Sequence, residues 1–304
     1  MKIRALPVRP APRFTYCAAM TDTSAAIASY YDNLSRFLDF ARRVGRGGGA
    51  PQGSTHRFLA GAPGEADADT PGPERLDRLA LDAAVAAGLA RAPRVVDAGC
   101  GLGGTIFHWK QRAGGRYVGL TLSPEQRRRA EDEAQRRGLA GDCRFLVRSY
   151  HAPLDPSYDA AIAIESLAHS SDPIDAVANL SRALRPGGLL VIVDDMPEPQ
   201  AFPSLLAGFK FGWRTPVLLD APAFRAALEA CDVSVLREID LTARLRPRPL
   251  PWLHVLIAAL GMARALAPTR GMRDVLDALR GGFCLEALYR TGGMRYRMIV
   301  ASKR

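Results

Sequence analysis

Lysine is nearly absent from this chain. The 304 residues hold 41 lysines and arginines, and lysine occurs only at positions 2, 110, 210 and 303, so 41 − 4 leaves 37 arginines. Against 31 acids the formal net charge is +10. A nucleic-acid groove needs a clustered basic stripe with interleaved aromatics, and the chain shows none. Arg127, Arg128, Arg129, Arg136 and Arg137 instead stand beside Glu125, Glu131, Asp132 and Glu133, at spacings that pair charges along one helix. Cysteine is scarce as well. The five, at 17, 100, 143, 231 and 284, are odd in number and fit no CxxC or metal-ligand spacing. They read as free thiols of a reducing compartment, and no cluster of His, Cys and acids suggests a metal. A signal peptide and a full membrane span are also missing. The apolar run 250–267 is interrupted by Pro251, His254, Gly261 and Arg264. These absences together point to a cytoplasmic chain without a transmembrane segment.

What is present is a core-forming composition, 48% hydrophobic, which excludes a disordered chain. Residues 1–20 are rich in Pro and Arg and read as a disordered tail, or as an extension upstream of Met20. Residues 21–44 have helical spacing at Ile27, Tyr31, Leu34, Leu38 and Ala41, and a Gly/Pro/Ala-rich loop to residue 73 holds a short ordered patch at 56–59. Residues 74–89 compose a helix. Apolar runs at 94–97, 117–122, 143–148, 159–165 and 189–194 then alternate with helical stretches at 105–113, 124–138 and 173–184. That alternation predicts a parallel sheet covered on both faces, with a ligand at the carboxyl ends of the strands. Further on, the pattern predicts a helix at 222–230, a strand at 233–241, a largely helical stretch at 249–280 and a last strand at 295–301.

The stretch "VVDAGCGLGGTIFHW" is strand, glycine turn and helix, with Gly99, Gly101 and Gly104 in GxGxxG spacing. The spacing alone also fits dinucleotide folds. Asp97, two residues before the first glycine, discriminates: a carboxylate sits poorly beside a pyrophosphate and well beside a cationic ligand. An acid that a nicotinamide cofactor would want on its ribose is missing from Thr121-Leu122-Ser123, which argues against an oxidoreductase.

The ordered segments "VVDAGCGLGG", "YVGLTLSPEQRRRA", "YDAAIAIESLAHSSDP" and "LRPGGLLVIVDD" resemble those of class I S-adenosylmethionine (SAM)-dependent methyltransferases over roughly residues 75–195. The segments "GLTLSPEQ" and "IESLAHSSDP" are similar to the group of sterol, tocopherol, other prenyl-lipid and natural-product methyltransferases. The resemblance implies an α/β, Rossmann-like, doubly wound and mostly parallel seven-stranded sheet, closed by an antiparallel strand at "GGMRYRMIVASK". It implies a SAM-binding domain over 74–304 with helical lid insertions at about 196–220 and 245–290, and a segment 21–73 that covers the cofactor through Tyr31. It implies SAM held by Asp97, Gly99, Cys100, Gly101, Thr121, Leu122 and Gln126, and by a Ser149–Tyr150 turn that lacks the acid common in relatives. The product is then S-adenosylhomocysteine.

Glu165 closes an apolar run and His169 follows four residues later. Three roles are open to Glu165: electrostatic support of the sulfonium side, general base for the acceptor, or cap of the next turn. His169 is a base or a structural support. The apolar additions "FPSLLAGFKFGWRTPVLL" and "PLPWLHVLIAALGMARAL" read as walls of an acceptor pocket, as core packing or as a homodimer interface. The expectation is therefore methyl transfer from SAM to a small, largely apolar terpenoid, prenyl or other natural-product acceptor. The alternatives are a SAM-binding partner protein without catalysis, and O- or N-methylation of a polar metabolite.

Overall fold

The computed structural model describes residues 56–57, 59–61 and 72–304. The helix expected at 21–44, with Tyr31, and the tail 1–20 lie outside the described residues.

Helix α1 (Gly72–Ala86) leads into β1 (Arg94–Ala98), α2 (Gly104–Ala113), β2 (Arg116–Thr121), α3 (Pro124–Arg136), β3 (Cys143–Val147), β4 (Tyr158–Ile164) and α4 (Pro173–Ala183). Then follow β5 (Leu184–Pro197), α5 (Pro203–Gly212), α6 (Ala221–Glu229), β6 (Val233–Asp240), α7 (Leu250–Leu266), α8 (Arg270–Arg290) and β7 (Met294–Lys303). The seven strands form one sheet in the order β3-β2-β1-β4-β5-β7-β6. The pairs among β1 to β5 are parallel, and β7 runs antiparallel between β5 and β6. The strand order reverses between β1 and β4, and that switch opens a crevice at their carboxyl ends.

The strands are continuous apolar runs because helices cover both faces. Val95, Ile162, Ile164, Val191 and Val193 pack with Leu76, Ile106, Phe107 and Leu288 on one side. Their neighbours Val96, Ala161, Ala163 and Ile192 pack with Val177, Leu180, Phe224 and Leu228 on the other. Alternate residues of each strand thus feed two cores.

Two boundaries differ from expectation. The strand expected at 189–194 extends over Leu184–Pro197, because β7 pairs along it as far as Pro197↔Met294. The helical stretch expected at 249–280 is two helices. Pro268 cannot continue α7, and Thr269 caps α8 by accepting from the Met272 N–H at 3.2 Å. Helices α5 and α8 approach closely through glycines: a Cβ on Gly212 would stand 2.7 Å from the Gly281 Cα, and one on Gly208 2.7 Å from the Cys284 Sγ.

Candidate active site

Asp97 ends β1 as a buried carboxylate, and no donor reaches it among the described residues. Burial first, and the charge of Asp77 second, raise its pKa to about 8. Asp77 is itself buried and accepts from the Thr105 hydroxyl at 2.6 Å, while the His56 Nε2 lies 2.7 Å from that hydroxyl and 3.6 Å from the Asp77 carboxylate.

Beyond Asp97 the backbone makes the turn that opens α2. Gly99 has φ 87°, and a Cβ there would meet the Ser166 Cβ at 2.6 Å. Only glycine permits both the left-handed φ and that approach. Gly101 also has positive φ, at 53°. The Gly99 and Cys100 N–H groups both donate to the Leu120 carbonyl at 2.9 Å. The Cys100 thiol turns down onto Gly119, where a Cβ would stand 2.7 Å from the sulfur. Cys100 thus has its thiol packed on Gly119, its N–H given to Leu120 and its carbonyl accepting from the Gly103 N–H at 2.8 Å. Gly103, the N-cap of α2, supplies no side-chain partner to the helix's first N–H groups, a setting that favours negative or polar ligand groups.

At the end of β2, the Thr121 hydroxyl donates to the Gln126 Oε1 at 2.7 Å and accepts from the Ser123 N–H at 3.1 Å. Ser123 caps α3, accepting from the Gln126 N–H at 3.0 Å. The Gln126 amide is thus oriented with its oxygen engaged and its NH2 group available. Leu122 is half-buried between them. After β3, Ser149 accepts from the His151 N–H at 3.2 Å, a local turn. The Tyr150 hydroxyl donates to the Ser166 carbonyl at 3.1 Å, and Asn179 Nδ2 donates to the Tyr150 carbonyl at 2.6 Å. Tyr150 thereby ties the β3 end to the β4 end, and its ring packs on the core.

Glu165 follows β4 with φ 52°, the left-handed region, while its N–H still donates to Val193 of β5 at 2.8 Å. A non-glycine residue held there carries local strain, a feature concentrated at functional sites. Its carboxylate accepts from the Tyr296 hydroxyl at 2.6 Å and from the Arg57 N–H at 3.2 Å. Burial alone would raise its pKa; the Arg57 guanidinium at 3.6 Å, His56 and these two hydrogen bonds outweigh it and hold the group below the usual carboxylate range.

The centre of this cluster is a residue that sequence reading passed over. Arg57 grips Asp195 with both arms, at 3.0 and 2.5 Å. Its guanidinium lies over the rings of Trp213, Tyr289 and Tyr296, at 5.2, 5.8 and 4.9 Å from their centroids. The Tyr289 hydroxyl donates to Asp195. Asp194, on the other face of β5, accepts from the Ala168 N–H at 3.0 Å, and burial with the neighbouring Asp195 lifts its pKa to about 7.

His169 sits in a short 3₁₀ turn, Leu167–His169, half-buried. Burial first lowers its pKa to about 4, and it hydrogen-bonds the backbone at Arg214 and Trp213. An imidazole with that pKa is neutral and a weak base at neutral pH. No group of three or more His, Cys, Asp or Glu able to hold a metal occurs among the described residues.

The structure brings Asp97, Gly99, Gly101, Thr121, Gln126 and Glu165 to one edge of the sheet, and adds Arg57, Asp195, Tyr289 and Tyr296. A profile of the family described as "methyltransferase domain" matches residues 96–192. The O-methyltransferase rstn1 of Aspergillus nomiae is 31% identical over 156 residues, 50% of this chain and 68% of its own length. The O-methyltransferase cnsE of Penicillium expansum is 31% identical over 176 residues, 56% of this chain and 63% of its length, so the match spans less than two thirds of that relative. The geranyl diphosphate C-methyltransferase of Streptomyces coelicolor A3(2), solved with Mg2+, geranyl diphosphate and S-adenosyl-L-homocysteine, superposes with TM-score 0.63 at 20% identity, over 93% of this chain and 98% of that one.

Proposed function

Because the chain belongs to the SAM-dependent methyltransferases, we propose that it transfers a methyl group from SAM to a small, largely apolar acceptor, with Asp97 as the cofactor anchor and Glu165 at the reacting centre. The observation that carries the reading is the placement of two acids at the carboxyl ends of neighbouring strands, Asp97 buried and Glu165 half-buried. Asp97 stands next to last in β1 with no hydrogen bond acting on its carboxyl group, and Glu165 follows β4 ionised, its Oε1 accepting from Tyr296 and Arg57. An unpartnered buried acid beside a glycine turn fits a ligand with an ammonium group. The left-handed φ of Gly99 and its close approach to Ser166, where a Cβ would clash at 2.6 Å, hold the turn beside Asp97 in shape.

SAM supplies an activated methyl on a sulfonium. The protein residues do the rest. Asp97 holds the cationic amino group, and the Gln126 amide, oriented by Thr121, donates to ribose hydroxyls. The Ser149–Tyr150 turn fixes the spacing between the β3 and β4 ends. Glu165, negative and held by Tyr296, favours positive charge that develops on the acceptor. Arg57 holds Glu165 below the usual carboxylate range and fixes Asp195 through both arms, partly offsetting the upward push of burial on Asp195. His169 acts as a positioning residue, holding the backbone of Trp213 and Arg214 against the site.

Support for an apolar acceptor comes from the walls. Phe209, Leu205, Leu206 and Trp213 of the α5 segment join the same core cluster as Tyr289 and Tyr296. Segments 196–220 and 245–290, which contribute α5, α7 and α8, act in this reading as lids over the crevice. The C-methyltransferase that shares the fold acts on geranyl diphosphate, and an isoprenoid acceptor suits such walls. Labelled methyl transfer from SAM into an extract, followed by mass spectrometry, tests the reading. A methylated small molecule that disappears with Glu165→Gln supports it. Binding of SAM with no methylated product from any extract favours the alternative of a non-catalytic SAM-binding partner.

A further inference from the structure

Helix α7 is an apolar helix with little protein to pack on. Of its 17 residues only Leu253 is buried. Trp252, Val255, Met262 and Leu266 are 65%, 60%, 70% and 83% exposed. Its only charged residue is Arg264, which binds Asp277 of α8 at 2.5 Å. A contiguous apolar patch of this kind marks an interaction surface.

The charge around the patch says what covers it. Between Leu241 and Arg273 stand six arginines, at 244, 246, 248, 264, 270 and 273, and no acid. Arg246, Arg270 and Arg273 are exposed and have no acidic partner among the described residues. An apolar face with an exposed tryptophan, flanked by the exposed Arg246, Arg270 and Arg273, matches the boundary between anionic headgroups and acyl chains. At 1.5 Å per residue the helix is about 25 Å long, short of the roughly 30 Å hydrocarbon core. No described helix is long and apolar enough to cross a membrane. We propose that α7 lies flat in the surface of an anionic lipid membrane and docks the enzyme there. Helix α8, on which α7 packs, carries Tyr289 of the site, so the docked face and the acceptor walls share one helix.

The test is flotation of the full chain with phosphatidylcholine vesicles that contain or lack phosphatidylglycerol, with tryptophan emission recorded in parallel. The expected result is flotation with the anionic vesicles only, weakened by salt, and a blue shift that Trp252→Phe abolishes. Val255→Asp and Met262→Asp, both at exposed positions, should each reduce vesicle binding by on the order of tenfold or more while leaving circular dichroism unchanged. Arg246→Glu with Arg270→Glu should remove the preference for anionic lipid. No flotation, or flotation untouched by Val255→Asp and Met262→Asp, overturns the proposal. So does a dimer in light scattering that Met262→Asp dissociates without any vesicle binding, which would assign the face to a second copy of the chain.

Discussion

The Tyr296 hydroxyl donates to the Glu165 carboxylate at 2.6 Å, joining the last strand of the sheet to the end of β4 across 131 residues of sequence. The antiparallel register places Tyr296 opposite Asp195, so one tyrosine, one arginine and two acids from distant segments meet at the crevice. Glu165 is ionised there at neutral pH. Glu165→Gln should lower methyl transfer about 10²-fold or more, while the Kd for SAM changes less than threefold, as on the order of 0.6 kcal/mol or less. Tyr296→Phe should lower transfer less, by about tenfold, because Arg57 continues to hold the carboxylate. Initial rates beside calorimetric SAM titrations read both quantities.

The acid limb of activity is set by the same contacts. The Glu165 pKa is depressed in the fold, so its ionised form and the stability it contributes persist at neutral pH and are lost as pH falls below the usual carboxylate range. Arg57→Met removes the main stabilising charge. The limb of the pH–rate profile should then move upward, and the midpoint of acid unfolding should rise. A profile that Arg57→Met leaves in place contradicts the role given to Arg57.

With Asp97 as the proposed anchor of the amino group, SAM binding should be proton-linked. Its pKa of about 8 in the ligand-free fold leaves most molecules protonated at pH 7. A cationic amino group favours the carboxylate, so binding should release close to one proton at pH 7 and tighten as pH rises toward 8. Titration in buffers of different ionisation enthalpy measures that release. Asp97→Asn should abolish it.

His169 should not govern the pH profile. Its pKa of about 4 keeps it neutral through the working range, and its bonds go to backbone at Arg214 and Trp213. His169→Asn should reduce kcat by less than tenfold, a modest effect for a group outside the proton-transfer step, and should leave the acid limb of the pH–rate profile unmoved. Loss of that limb together with a much larger fall in kcat would restore His169 as the base.

The crossing of α5 and α8 tolerates no side chain. Gly212→Val forces atoms into the Asp277 carbonyl and the Gly281 Cα and should destabilise the fold by about 1–3 kcal/mol, the scale of overpacking. Gly261→Val, where an added Cβ meets little, is the matched control. Urea unfolding of both measures the difference.

The proposed cofactor side of the crevice is legible in the sequence because it is local. Asp97, Gly99, Thr121 and Gln126 lie within two strand–turn–helix units, and each turn carries its own chemistry. Glu165 was visible for the same reason, as an acid that ends an apolar run. Asp194 and Asp195 end the next apolar run in the same way, and that signal went unread. Arg57, Tyr289 and Tyr296 were invisible to local patterns. Their meeting depends on which strand β7 pairs with and in what register, which a single sequence does not encode in any short window. The break at Pro268 and Thr269 was readable from proline and capping chemistry, but the apolar run on either side masked it.

The central claim is that the Asp97 end of β1 holds SAM. Isothermal titration of the intact chain with S-adenosylhomocysteine and SAM tests it most directly, with Asp97→Ala alongside. The account predicts saturable one-to-one binding by the intact chain, weakened about 50-fold or more by Asp97→Ala, a loss of roughly 2.3 kcal/mol, with circular dichroism unchanged. Absence of binding by the intact chain, or equal affinity in Asp97→Ala, would contradict it.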